Sequence, residues 1–245
     1  MSALDAEQLN WSKFKDYVSG LQGPRKLMFR GQNKAWPLRT GYHRTGRADL
    51  ARFLRKDIPS LHQKLSARTK HIFNLDSPRE LGAFLNLLQH HGYPTPLLDW
   101  TYSPYVALFF AYRGISSRDS IDADPNNRVR VFIFDLGEWE KDFNQVLNLI
   151  NPYKHVSVGE FLAIENERMI PQQAVTTFTN IDDIETYILQ CGIQKGKKYL
   201  TAIDIPLSER SEVIRELTYM GLQAGALFPG LDGVCEELKE RNFQY

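Results

Sequence analysis

The chain has 245 residues, 42% of them apolar and 24% charged, which is the balance of an ordinary globular protein, and its formal net charge is +1. No stretch approaches the roughly 20 apolar residues that a membrane-spanning helix needs, the opening MSALDAEQLNWSKF lacks the apolar core of a secretory leader, and Cys191 and Cys235 are too few for a disulfide framework. A membrane-embedded or disulfide-stapled protein is excluded, and a single domain over residues 1–245 in a reducing cytoplasm is expected.

In chain order, Lys26 to Arg30 (KLMFR), between Gly23-Pro24 and Gly31, predicts a strand ending in a turn, with Arg30 at its end. Residues 25–71 hold thirteen Lys and Arg against Asp49 and Asp57, a charge of +11, while the remainder holds 17 cations against 27 carboxylates, −10. Such a separation marks a surface for a polyanion, either a dinucleotide pyrophosphate or nucleic acid, unless the two parts neutralise each other in the fold. Within this segment, Ala48 to Ile58 sets Leu50, Phe53 and Leu54 at helical spacing, with Arg52, Arg55 and Lys56 turned outward.

Ser77-Pro78-Arg79-Glu80 reads as a capping box that opens a helix with Leu81, Phe84, Leu85 and Leu88 as its apolar stripe, ending near His91-Gly92. Ser103-Pro104 opens a second helix, apolar on nearly every face and ended by Gly114. The segment between them, from Gly92 to Tyr102, is punctuated by prolines and reads as a clamped connection, the kind of loop that carries function. Ile115 to Asn127 is polar, turn-rich and the expected site of greatest mobility. Strands follow at Val129 to Leu136, Ala174 to Phe178 and Tyr199 to Ile205, then a helix from Ser208 that stops before Gly221, and a closing helix from Val234 to Asn242. The predicted class is α+β, with a small mixed central sheet flanked by helices.

Several residues stand out chemically. Arg30, followed by a glycine that permits close approach, either faces a ligand phosphate or makes a two-pronged pair with Asp99. Gln32 and Arg44 share that argument. Asp99, between Leu98 and Trp100, must pair with a cation or carry a raised pKa. His90 and His91 point about 100° apart on a helix and cannot share a metal, though either can face a cleft as donor or base or cap the helix end. Thr95, Thr101 and Ser103 add hydroxyls to the same stretch, Ser103 also being a natural helix cap. Tyr93 and Tyr102 are candidate stacking surfaces, and both cysteines read as buried thiols. The chain has no phosphate-loop lysine motif, no Gly-x-Gly-x-x-Gly and no serine elbow.

Three blocks, FRGQ (Phe29 to Gln32), QHHGYPTPLLDWTYSPYVALFFA (Gln89 to Ala111) and LFPGLDGV (Leu227 to Val234), resemble the signature blocks of the FRG-domain family, with Pro96 standing where many members carry Arg. FRG domains have no settled biochemical role. Phe29-Arg30-Gly31 also resembles the aromatic-Arg-Gly element of ADP-ribosyltransferases of the arginine–serine–glutamate class. That resemblance implies an ADP-ribosyltransferase-like fold, NAD as substrate and Arg30 on its phosphates and ribose. It further implies the Thr101 to Ser103 stretch at the NAD pocket, and a bacterial stress or phage-defence role. The class carries a glutamate where this chain has Gln172-Gln173. The activating carboxylate is therefore expected from Asp99 or from Glu160, Glu165 or Glu167 upstream.

Overall fold

The computed structural model describes residues 2–21, 26–121, 124 and 126–243. Gly23-Pro24 and Arg25 lie outside the described residues, as do 122, 123 and 125 of the turn-rich stretch, which otherwise contains a short helix at Ser117–Ile121.

Seven strands form one sheet: β1 (Glu7–Gln8), β2 (Leu27–Gln32), β3 (Leu97–Thr101), β4 (Arg128–Asp135), β5 (Val156–Gly159), β6 (Ala174–Thr179) and β7 (Leu200–Pro206). Their spatial order is β1-β7-β4-β2-β3-β6-β5, with β1 parallel to β7 and every other neighbour antiparallel. The expected α+β class with a mixed sheet and flanking helices is what the chain adopts.

Strand β4 shows why. Val129, Val131 and Ile133 point into one apolar cluster with the helix Pro104–Tyr112, while Phe132 and Phe134 point into the cluster on the opposite face with Ile184 and Ile188. Burial of alternate residues on two faces fixes the register, since a one-residue slip would exchange the two sets. Arg130 is the polar member, and it sits opposite Asp204 on β7, bonded to it through two nitrogens at 2.7 and 2.9 Å. A third cluster packs the helix Pro78–His90 against the helical run from Leu50 to Leu65, through Phe53, Ile58, Phe84 and Leu88. Phe53–Asp57 in that run is a π-turn, placed where Pro59 has no N–H to give to the preceding turn. Arg52, Arg55 and Lys56 point outward from it as expected.

The structure corrects four local expectations. Strand β2 does not turn at Arg30 but runs on through Gln32, and Gly31 lies inside it; a Cβ there would stand 1.8 Å from the main-chain oxygen of Ala107. That glycine admits the helix Pro104–Tyr112 to the sheet. The clamped connection contains a central strand, β3, beginning just after Pro96, because LLDWT is a run apolar enough to be buried on both faces. Ser77 forms no side-chain cap, since Glu80 instead accepts from the Asn74 amide and the His71 ring at 2.8 and 2.9 Å. Cys191 is buried, but Cys235 is exposed.

Candidate functional site

Strands β2 and β3 pair at a single register position, Phe29 opposite Thr101. Beyond it the ladder is open, and Arg30 and Asp99 stand at that opening. Arg30 donates from Nη1 to the main-chain carbonyl of Asp99 at 2.6 Å, occupying an acceptor that a continued ladder would have used. Its Nε is buried without a partner among the described residues. The surrounding protein lowers the Arg30 pKa to about 10, with the nearby Arg44 charge acting in the same direction and Asp99 opposing; the side chain stays cationic at neutral pH.

The Asp99 carboxylate makes no ion pair within 4 Å among the described residues. Water reaches it from one side, yet protein walls it in on the others. Desolvation therefore raises its pKa above the usual carboxylate range, partly offset by the Arg30 charge and by a hydrogen bond from Gln89. Gln89 is itself oriented by Thr95, whose buried hydroxyl donates to Gln89 Oε1.

Two lobes meet at this waist, both lined by Arg30, Gln89 and Asp99. The larger, about 370 Å³, lies between β2, β3, the helices Pro78–His90 and Pro104–Tyr112, and a wall from residues 166–172 with Phe228. The smaller, about 260 Å³, opens toward Arg39, Arg44 and Tyr93. Arg39 is held by Asp182 at 2.5 Å, but Arg44 makes no ion pair among the described residues, and burial lowers its pKa.

In the larger lobe Arg113 stacks on Phe228 at 4.0 Å and is neutralised by Glu236, whereas Arg168, 5.3 Å from the same ring, has no carboxylate partner among the described residues. His90 faces this lobe, with a pKa lowered by burial, by Arg168 and by His91, so its imidazole is neutral at pH 7 and able to accept a proton. Thr101 also lines it, its hydroxyl donating to the Gln172 carbonyl at 2.7 Å. Two left-handed residues, Glu165 at φ 54° and Gln173 at φ 47°, bracket the wall segment, a conformation costly for side chains other than glycine.

The structure thus brings together Arg30, Gly31, His90, Asp99 and Thr101 in the larger lobe and Arg44 and Thr95 in the smaller. It does not bring the rest. Gln32 is buried and donates to the Trp36 carbonyl at 3.1 Å. His91 caps its helix on the exposed side, and Ser103 caps the helix Pro104–Tyr112 by accepting from the Val106 amide. Glu160 is engaged by Tyr102 and Lys26, Glu165 by the His71 amide, and Glu167 is exposed; none of the three lines either lobe. Tyr93 reaches the smaller lobe and Tyr102 reaches neither.

Sequence reasoning missed Asn86, Asn166, Arg168 and Phe228. Asn86 alone left a signal, as a lone amide in the apolar run Phe84 to Leu88. No group of three or more His, Cys, Asp or Glu among the described residues could hold a metal. The basic helical run keeps its charge: Arg52, Arg55, Lys56, Lys64, Arg68 and Lys70 are exposed and make no ion pair among the described residues, while Arg47 is held by Asp57.

Residues 25–120 match the family model of the FRG domain, a stretch that contains β2, β3 and the waist between the lobes. No curated protein and no solved structure matches the chain.

Proposed function

We propose that this FRG-domain chain binds a dinucleotide across the two lobes and, with NAD as the substrate, transfers or hydrolyses ADP-ribose. The observation that carries the reading is the waist itself: a cation with an unused donor, Arg30, beside a carboxylate, Asp99, that makes no ion pair within 4 Å among the described residues, at the floor of a cleft of ligand size. Arg30, with Arg44 and Arg168 on either side, supplies charge for a pyrophosphate. The waist also recommends Asp99 over the three upstream glutamates as the activating group. In the reaction the bond from the ribose anomeric carbon to the nicotinamide nitrogen breaks, and its electron pair leaves with nicotinamide. The cationic ribosyl centre is stabilised by the fixed Asp99 carboxylate. An acceptor or water oxygen forms the new bond, and its proton passes to neutral His90.

Calorimetry with NAD and ADP-ribose, paired with measurement of nicotinamide release, tests the reading. Binding that Arg30→Ala abolishes in a folded protein, with NAD turnover, supports it. No binding at millimolar ligand refutes the dinucleotide, and binding without turnover refutes the enzyme while leaving a sensor.

A second reading is favoured by the six unpaired cations of the basic helical run and the turn after it. Arg52, Arg55 and Lys56 stand as like charges at helical spacing, and none of them makes an ion pair among the described residues. The apolar face of this run is buried in the core, which leaves a purely electrostatic surface suited to a nucleic-acid backbone.

A further inference from the structure

Two buried asparagines that line the larger lobe leave complementary groups unused. Asn86, 5% exposed, accepts at Oδ1 from the Thr176 hydroxyl at 3.2 Å, while its Nδ2 is buried without a partner among the described residues. Asn166, 7% exposed, buries an Oδ1 that also has none. Both residues line the cavity that holds Arg30 and Asp99. Buried amide groups are nearly always paired, so an unpaired donor and an unpaired acceptor in the lining of one cavity call for a partner from outside the chain. The backbone around Asn166 agrees: Glu165 and Gln173, both left-handed, hold the ends of its segment against their own conformational preference, and the segment's role is to wall this cavity.

We propose that Asn86 and Asn166 form a subsite that reads a planar ligand edge offering an acceptor beside a donor, and that its occupant is a primary carboxamide. Asn86 Nδ2 gives to the amide oxygen, and Asn166 Oδ1 takes from the amide nitrogen. The edge of an adenine ring offers the same alternation. The carboxamide is favoured because the pair shares its lobe with Asp99 and His90, where the bond next to a nicotinamide ring would be cleaved. The inference rests on the dinucleotide reading and assigns which end of the ligand enters which lobe.

The experiment is calorimetry of NAD, nicotinic acid adenine dinucleotide and ADP-ribose against the full chain and against Asn86→Ala, Asn166→Ala and Asn166→Asp. The acid dinucleotide replaces the carboxamide by a carboxylate, and ADP-ribose lacks that ring altogether. The unaltered chain is expected to prefer NAD over the acid dinucleotide by about 10-fold or more, as sites built around buried polar groups do. Each alanine variant should lose that preference and keep its ADP-ribose affinity, and Asn166→Asp, which retains an acceptor, should keep the preference. The proposal is overturned if the alanine variants discriminate as before. An equal loss of ADP-ribose affinity overturns it too, because the pair would then read adenine. ADP-ribose binding intact in the unaltered chain with no preference for NAD defeats the subsite alone, whereas absence of all binding defeats the dinucleotide reading with it.

Discussion

Arg30 and Asp99 meet through the main chain: the guanidinium gives its hydrogen bond to the Asp99 carbonyl oxygen and leaves the carboxylate of the same residue without an ion pair among the described residues. A two-pronged side-chain pair would have made each residue the other's scaffold. As it stands, the strand opening is closed by one polar contact, and a negative charge is held at the cleft floor by Gln89 and Thr95.

Asp99→Asn is therefore expected to fold, since no guanidinium is stranded by it. Asp99 has a folded pKa above its unfolded value, so the ionised group costs stability as pH rises from about 4 through the folded pKa. The variant should be at least as stable as the parent at pH 7, and any advantage should vanish below about pH 3. Urea titrations at the two pH values check this. Turnover of NAD should fall by about 10²-fold or more, as when a fixed electrostatic stabiliser is removed.

Arg30→Lys keeps the charge but cannot supply both the bond to the Asp99 carbonyl and a second donor to a ligand. Its NAD affinity is expected to drop by about 10-fold or more with little change in melting temperature. Equal affinity in the two proteins would show that Arg30 acts only as a point charge.

Gly31→Ala tests why β2 carries a glycine at this position. The new methyl would lie 1.8 Å from the Ala107 oxygen, so the helix Pro104–Tyr112 must move off the sheet. A loss of about 3 kcal/mol is expected in denaturant unfolding, the scale of overpacked cores. A loss below about 0.5 kcal/mol would mean the helix yields freely.

Asp204→Asn strands the buried Arg130, whose other bonds run to Ser2 and the Leu4 carbonyl. Breaking a buried pair of this kind costs about 3–5 kcal/mol. The cleft lies elsewhere, so ligand affinity of the surviving folded fraction should not change.

Reversing the charge at Arg52, Arg55 and Lys56 together should abolish oligonucleotide binding if the basic helical run docks nucleic acid. In the parent the logarithm of affinity should fall steeply with the logarithm of salt, with a slope of about −0.9 per phosphate contacted. Anisotropy with a labelled oligonucleotide at two salt concentrations suffices, and the absence of a complex at low salt would remove the second reading.

How much of this was legible depended on how local each signal is. Strand β4 was readable because its alternation is complete within eight residues. Strand β3 was not, because Pro94 and Pro96 read as loop punctuation, although a proline just before a strand removes no ladder donor. The capping box at Ser77 failed because the His71 ring and Asn74 amide compete for Glu80, a contest that spacing alone does not reveal. In the cleft, Arg30 and Asp99 declared themselves by their neighbours, a glycine and two large apolar side chains. Asn166 did not, and Asn86 showed only as a lone amide among apolar neighbours, because what distinguishes the two is a missing partner, a property of the folded cavity.

The parallel edge pair has a consequence for how the chain reaches this state. Strand β1 is joined to β7 by contacts such as Gln8 to Asp204, 196 residues apart, so β1 waits for the much later β7 before it can pair. Its equilibrium cost is modest, because loop entropy grows only by about 0.6 kcal/mol per doubling of length. Its kinetic effect is larger, since contacts this distant in sequence form late. During synthesis the other six strands can associate through their own neighbours while β1 stays unpaired, and at two residues it offers other chains almost no template for edge-to-edge aggregation.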